Sequence, residues 1–181
     1  MELRGKRIVL REVQMNDWPA IHRVTSHVEV CRYQPWGPSS EEETRAYVHT
    51  VIRAVADDPR RDCTLVAELL ETGEVIGYAS LWLRNSEFRC GEIGFFLSPD
   101  CWGHGLGGEI ARLLLASGFK DFNLHRIYAT CDPRNSGSVR LLKKVGMSQE
   151  GRLRHTMLIR DGWRDSDVYA VLEHEWKGGH E

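Results

Sequence analysis

Glu92-Ile93-Gly94-Phe95-Phe96-Leu97-Ser98-Pro99-Asp100-Cys101-Trp102-Gly103-His104-Gly105-Leu106-Gly107-Gly108 is the stretch whose reading decides the fold. An apolar strand, Ile93 to Leu97, leads into a loop containing Pro99, and the glycine-rich run then opens into a helical pattern of Ile110, Leu113 and Leu114. A helix start leaves backbone N–H groups without intrahelical partners, and the dipole adds partial positive charge there. An anion such as a pyrophosphate would be held at that point. Gly103, Gly105, Gly107 and Gly108 carry no side chain to keep a phosphate at a distance. A second apolar strand, Arg126-Ile127-Tyr128-Ala129-Thr130-Cys131, follows the helix. Together they form one βαβ unit, whose crossover makes the two strands parallel.

Two ligand classes fit such a unit. Gly103-x-Gly105-x-x-Gly108 satisfies the dinucleotide pattern, with Asp132 where a ribose-binding acid would lie, which would make the chain a nicotinamide-dependent oxidoreductase. Against it, five residues, Ser98 to Trp102, separate the strand from the first glycine, and too few strands follow to build both halves of that fold. The other reading uses Trp102-Gly103-His104-Gly105-Leu106-Gly107, then Asn135-Ser136-Gly137-Ser138, then Val145-Gly146-Met147. This series resembles the acetyl-CoA site of the GNAT N-acetyltransferases, where [Gln/Arg]-x-x-Gly-x-[Gly/Ala] follows a strand and Asn-x-x-Ser opens a later helix. Trp102 departs from the general pattern, but the Trp-Gly-x-Gly form resembles the RimJ and RimL branch, the ribosomal-protein N-terminal acetyltransferases. The resemblance covers nearly the whole chain.

The resemblance implies an α/β fold with a mixed sheet, an antiparallel meander joined to the βαβ unit, and helices on both faces. It implies acetyl-CoA as co-substrate, no metal, and a primary amine, either a small molecule or a protein N-terminus, as acceptor. Gly103, His104, Gly105, Leu106, Gly107 and Gly108 would hold the diphosphate, with His104 either an added donor or a solvated loop residue. The pantetheine arm would lie along Phe95, Phe96 and Leu97, where one backbone N–H faces the acetyl oxygen. Asn135 would contact the arm while also capping a helix. Seven residues after that Asn many family members place a tyrosine to protonate the thiolate, whereas here Leu142 stands there. Ser138 is the substitute. Homodimers are common in the family.

The acceptor must lose a proton. At pH 7 a lysine amine costs roughly 4–5 kcal/mol to neutralise and an α-amino group only about 1 kcal/mol, so a weak or water-relayed base suffices for an N-terminus. Glu92, on the strand before the glycine run, is either that base or a strand-edge salt bridge. Tyr33 and Trp36, between turn-formers, and Trp163, in the turn Arg160 to Trp163, are the acceptor-side candidates. A non-catalytic acyl-CoA-binding module would keep the glycine run and need neither Ser138 nor Glu92.

Composition bounds the rest. A chain of 181 residues, 41% hydrophobic and 28% charged, fits a single N-acetyltransferase domain over 1–181. A net charge of −2 without a basic block gives a nucleic-acid partner no electrostatic support. Five cysteines with no CxxC pair suggest reduced thiols in a cytoplasmic protein rather than disulfides or zinc, and Cys101 reads as a small hydrophobe rather than a nucleophile. No apolar run approaches a membrane span.

Along the chain, Arg7 to Val13 reads as a first strand, followed by a helix capped by Asn16 or Asp17 with Pro19 in its first turn. Ser40-Glu41-Glu42-Glu43 is a capping box ahead of a helix with Tyr47, Val48, Val51, Ile52 and Val55 on one face. Cys63 to Leu70 and Val75 to Leu83 should form a hairpin. A helix with Val139, Leu142 and Val145 inward follows Asn135, and two strands, Met147 to Ile159 and Asp165 to Leu172, end the chain.

Overall fold

The computed structural model describes residues 1–178. Its strands are β1 (Glu2–Arg4), β2 (Ile8–Glu12), β3 (Asp62–Leu69), β4 (Val75–Asn85), β5 (Cys90–Leu97), β6 (Arg126–Cys131), β7 (Ser148–Ile159) and β8 (Gly162–Leu172). They form one sheet in the order β1-β2-β3-β4-β5-β6-β8-β7. All neighbours are antiparallel except β5 and β6. The helices are α1 (Trp18–Thr25), α2 (Val28–Cys31), α3 (Glu41–Ala54), α4 (Leu106–Lys120) and α5 (Ser136–Lys144). Among the described residues no helix is long and apolar enough to cross a membrane.

Strand alternation sends successive side chains to opposite faces, and each face builds its own core. Leu65, Ala79, Leu81, Ile93 and Leu97 pack with Ile110, Leu114 and Leu115 of α4 and with Leu142 of α5. Val66 and Tyr78 pack on the other face with Ile21 and Val24 of α1 and Val48 and Val51 of α3, with Phe96 against them. The expected mixed sheet with helices on both faces is therefore present.

Local signals act where expected. Ser40 Oγ accepts the Glu43 N–H while Glu43 accepts the Ser40 N–H, closing the capping box that starts α3. The β3–β4 hairpin forms, with Thr64 opposite Ser80 and Val66 opposite Tyr78.

Other expectations need correction. The first strand begins at Ile8, and a separate strand, β1, precedes it. Glu2-Leu3-Arg4 is too short and polar to show a period, and its pairing with Val9 to Arg11 creates it. Asp17 stands at the start of α1, but its carboxylate accepts two bonds from Arg11 and the Gln14 N–H instead of capping the helix. Val55 lies just past α3 and is exposed. Gly162 and Trp163 belong to β8 rather than to a turn, because the hairpin register carries on through Trp163↔Leu158 and Gly162↔Ile159.

Candidate active site

β5 and β6 pair only through Cys90↔Arg126, Gly91↔Ile127 and Glu92↔Tyr128. Beyond that point β5 continues beside β4 and β6 continues beside β8, so the sheet forks. The Ser98 N–H donates to the carbonyl of Ile76, near the start of β4, at 2.8 Å. By the two-residue alternation, the N–H groups of Gly94 and Phe96 also face β4, while those of Phe95 and Leu97 face the fork. The Leu97 carbonyl on that side accepts the Trp102 indole N–H at 3.0 Å. Trp102, the residue that departs from the general motif, thus closes the end of the fork while staying 47% exposed.

A 3-10 turn, Pro99–Cys101, leads from the fork to the glycine run. Gly103 at φ 79° and Gly105 at φ 78° are left-handed, which glycine adopts without strain. α4 starts at Leu106, so Gly107 and Gly108 are helical residues rather than loop. A Cβ on Gly107 would stand 2.8 Å from Leu141 Cδ1 and 3.3 Å from Phe95 Cε2, so that glycine serves packing between α4, α5 and β5. Among the described residues the backbone N–H groups from Gly103 through Gly108 donate to nothing.

Sequence reading missed Arg7. Its Nη1 donates to the His104 carbonyl at 2.9 Å, its Nε to Glu109 at 3.1 Å, and its Nη2 lies 3.5 Å from where a Gly105 Cβ would be. The Glu109 carboxylate also accepts the Arg7 and Ile8 N–H groups at 2.7 and 3.3 Å. Burial works against its charge, but these donors outweigh it and hold the carboxyl below its ordinary range. No local pattern links Arg7 to a loop 97 positions later.

Asn135 is the N-cap of α5, its Oδ1 accepting the Ser138 N–H at 3.0 Å. Ser138 is half-buried, and its hydroxyl has no hydrogen bond among the described residues. Leu142 is core. Glu92 is only 17% exposed and forms the strand-edge ion pair with Arg84 at 2.7 Å, and it also accepts the Tyr128 hydroxyl at 3.1 Å. Tyr128, which sequence reading did not single out, belongs to the last β5–β6 pair before the fork. Burial, followed by the Glu92 charge, raises its phenol above the ordinary value.

Trp36 packs edge-on against Phe96 with centroids 4.9 Å apart, and the Tyr33 hydroxyl reaches the Arg134 carbonyl at 3.5 Å. Trp163 is not with them. It is 61% exposed and stacks on His155. Arginines bind the segment carrying Tyr33 and Trp36 to the β7–β8 hairpin: Arg160 donates to the Cys31 and Trp36 carbonyls, and Arg164 to the Tyr33 carbonyl at 2.6 Å. His104 contributes its carbonyl to Arg7, and its ring is exposed.

The competing readings fare worse. The Asp132 carboxylate is buried and held by Arg134 at 2.7 Å, an internal ion pair rather than a free ribose acceptor. Burial raises the thiols of Cys101 and Cys131, the latter to about 11, so neither is a ready thiolate.

Residues 7–148 match the family model of the acetyltransferase (GNAT) domain. The chain is 34% identical over 176 residues to the uncharacterized N-acetyltransferase YnaD of Bacillus subtilis (strain 168), covering 97% of this chain and 99% of that one. It resembles the solved structure of a GNAT-family acetyltransferase from Bacillus anthracis with a TM-score of 0.85 at 31% identity, covering 97% of this chain and all of the other (100%). Mycobacterium smegmatis RimJ, solved with CoA-disulfide, shares the fold at a TM-score of 0.84 and 24% identity, over 98% of this chain and 88% of that one. With the family model spanning the fork, the glycine run and α5, this chain belongs to the GNAT family and is an acetyltransferase.

Proposed function

We propose that the protein moves the acetyl group of acetyl-CoA directly to a primary amine within a ternary complex. The observation that carries this reading is the run of unpartnered N–H groups from Gly103 to Gly108, at a helix N-terminus and beside a forked sheet. Such donors suit a diphosphate, and the Arg7 guanidinium beside Gly105 adds a positive charge. Bound acetyl-CoA supplies the thioester.

The chain's own groups divide the remaining work. The Phe95 N–H, turned into the fork, is the donor for the oxygen that gains charge during transfer. Phe96 and Leu97 flank it along the same strand, and Asn135 borders the fork from the start of α5 while holding the Ser138 N–H. The Ser138 hydroxyl, uncommitted among the described residues, gives its proton to the leaving thiolate and takes back the proton that the attacking nitrogen sheds on becoming the amide. Glu92, joined to Tyr128 at the apex of the fork, takes the proton of the arriving ammonium. Tyr33 and Trp36 wall the acceptor side.

Thiol release on incubation with acetyl-CoA and an amine panel (polyamines, amino acids, aminoglycosides and short peptides) tests transfer. Calorimetric titration with CoA tests the loop separately. CoA binding without thiol release from any amine would leave a binding module. A melting temperature raised by NAD and not by CoA would revive the dinucleotide reading.

A further inference from the structure

Trp82 is a large apolar residue that belongs to neither core. Its indole is half-buried and lies across Gly94, where an added Cβ would stand 3.0 Å from Cζ3 and 3.1 Å from Cη2. The ring N–H is held by the Asp62 carboxylate at 3.1 Å. Strand register places the residue in a row across the sheet, Asp62, Trp82, Glu92 and Tyr128, on the face away from α4. Two residues beyond Gly94, on the same face of β5, Phe96 stands edge-on to Trp36 with centroids 4.9 Å apart. Trp82, Phe96 and Trp36 are each half-buried, so rings that are held in place keep apolar surface open beside the proposed base. Such surfaces, with few polar groups among them, suit an apolar ligand.

The charged groups around these rings leave a place for one cation. Glu92 Oε2 is taken by Arg84 Nε and Nη2, each at 2.7 Å, and by the Tyr128 hydroxyl at 3.1 Å, whereas Oε1 has no hydrogen bond among the described residues. The two Asp62 oxygens are divided between the Thr64 hydroxyl and the Trp82 N–H. Arg84 also stands 5.3 Å from the centre of the Trp82 ring, so a second ammonium would meet a cation already in place. Gly94 lies two residues from Glu92, about 7 Å along the strand, a distance that an amine joined to a ring by one or two carbons can reach. We infer that Trp82 determines acceptor specificity, and that the preferred acceptor is a primary monoamine bearing an aryl group, with its nitrogen at Glu92 Oε1 and its ring on the surface of Trp82 and Phe96. The inference deepens the transferase reading and rests on it. Transfer forms the amide N–C bond, breaks the thioester C–S bond and leaves CoA as the thiol, the first ammonium proton going to Glu92 and the second exchanged through Ser138.

The test has a transfer arm and a binding arm. Thiol release is measured with phenethylamine, benzylamine, n-propylamine, putrescine and spermidine, and the aryl amines should show kcat/KM at least about tenfold above the others. Phe-Gly-Gly against Gly-Gly-Gly asks whether a peptide N-terminus is the source of the ring, in which case the Phe peptide should lead by about tenfold. An aryl preference in neither series, or putrescine or spermidine ahead of phenethylamine, would overturn the inference and leave the transferase standing. If no amine releases thiol, the transferase reading falls, and calorimetry on the CoA-loaded full chain decides the site. There phenethylamine should bind at least about tenfold more tightly than n-propylamine, and equal affinities or no binding of either would overturn it. Trp82→Leu stays apolar and loses the ring, so the folded variant should bind CoA as before and favour phenethylamine over n-propylamine by less than about threefold, while Trp82→Phe keeps most of the preference. An intact preference in Trp82→Leu would overturn the assignment to Trp82.

Discussion

The two walls of the fork are built in different ways. On the side we propose for the cofactor, Gly103 to Gly108 offers main-chain N–H groups from one contiguous run, oriented by two left-handed glycines and a helix start. On the side we propose for the acceptor, the segment after α2 is held to the β7–β8 hairpin by Arg160 and Arg164 reaching carbonyls more than a hundred residues away. A shared coenzyme can be recognised by backbone geometry that any member of the family keeps. A particular acceptor calls for side chains, and these come from segments that are distant in sequence.

The comparison can be broken at its cofactor half first. Gly105→Glu places a charged side chain at φ 78° among the free donors, and CoA affinity by calorimetry should fall by more than about 100-fold. Unchanged binding would remove the loop from the site.

At the meeting point of the two halves, Glu92→Gln should lower kcat/KM by about 100-fold below the pKa of the acceptor amine, where the amine arrives protonated. The deficit should shrink at high pH, where no proton acceptor is needed. A deficit that is flat across pH would mean that the Arg84 and Tyr128 contacts are structural.

The tie from Glu109 to Arg7 gives a stability prediction. The folded carboxyl lies below its unfolded value, so its contribution is full above that unfolded value and is lost as pH falls through the lower folded one. Glu109→Gln should therefore cost about 1–3 kcal/mol at pH 7, read by chemical denaturation, with the gap to wild type closing below about pH 4. A gap that persists in acid would mean that packing, not charge, is lost.

Ser138→Ala should have the smallest effect, about a tenfold fall in kcat with CoA affinity unchanged. A wild-type rate would assign the thiolate's proton to water or to the Tyr128 phenol.

The cofactor wall was legible because its signals are local. The strand, the glycine run, the helix period and the Asn135 cap each depend on neighbours within a few residues. Other features escaped for the opposite reason. β1 exists only through its pairing with β2, Trp163 left its expected turn because the β7–β8 register runs through it, and Tyr128 gained its place from the last parallel pair. Gly107 reads in sequence as part of a phosphate loop, yet the contact with Leu141 that requires a glycine there lies 34 residues downstream along the chain, roughly as far as a βαβ unit spans.

The sequence by itself determined the mixed sheet, the βαβ unit and the place where an anion would be gripped, because hydrophobic period, capping and glycine freedom are properties of short stretches. Only the tertiary structure decided which amide faces the fork, that Glu92 is shared by Arg84 and Tyr128, and that Arg164 is buried against the Tyr33 carbonyl and Ser166. Those facts depend on strand register and on which distant side chains burial brings together, and no window of local sequence contains them.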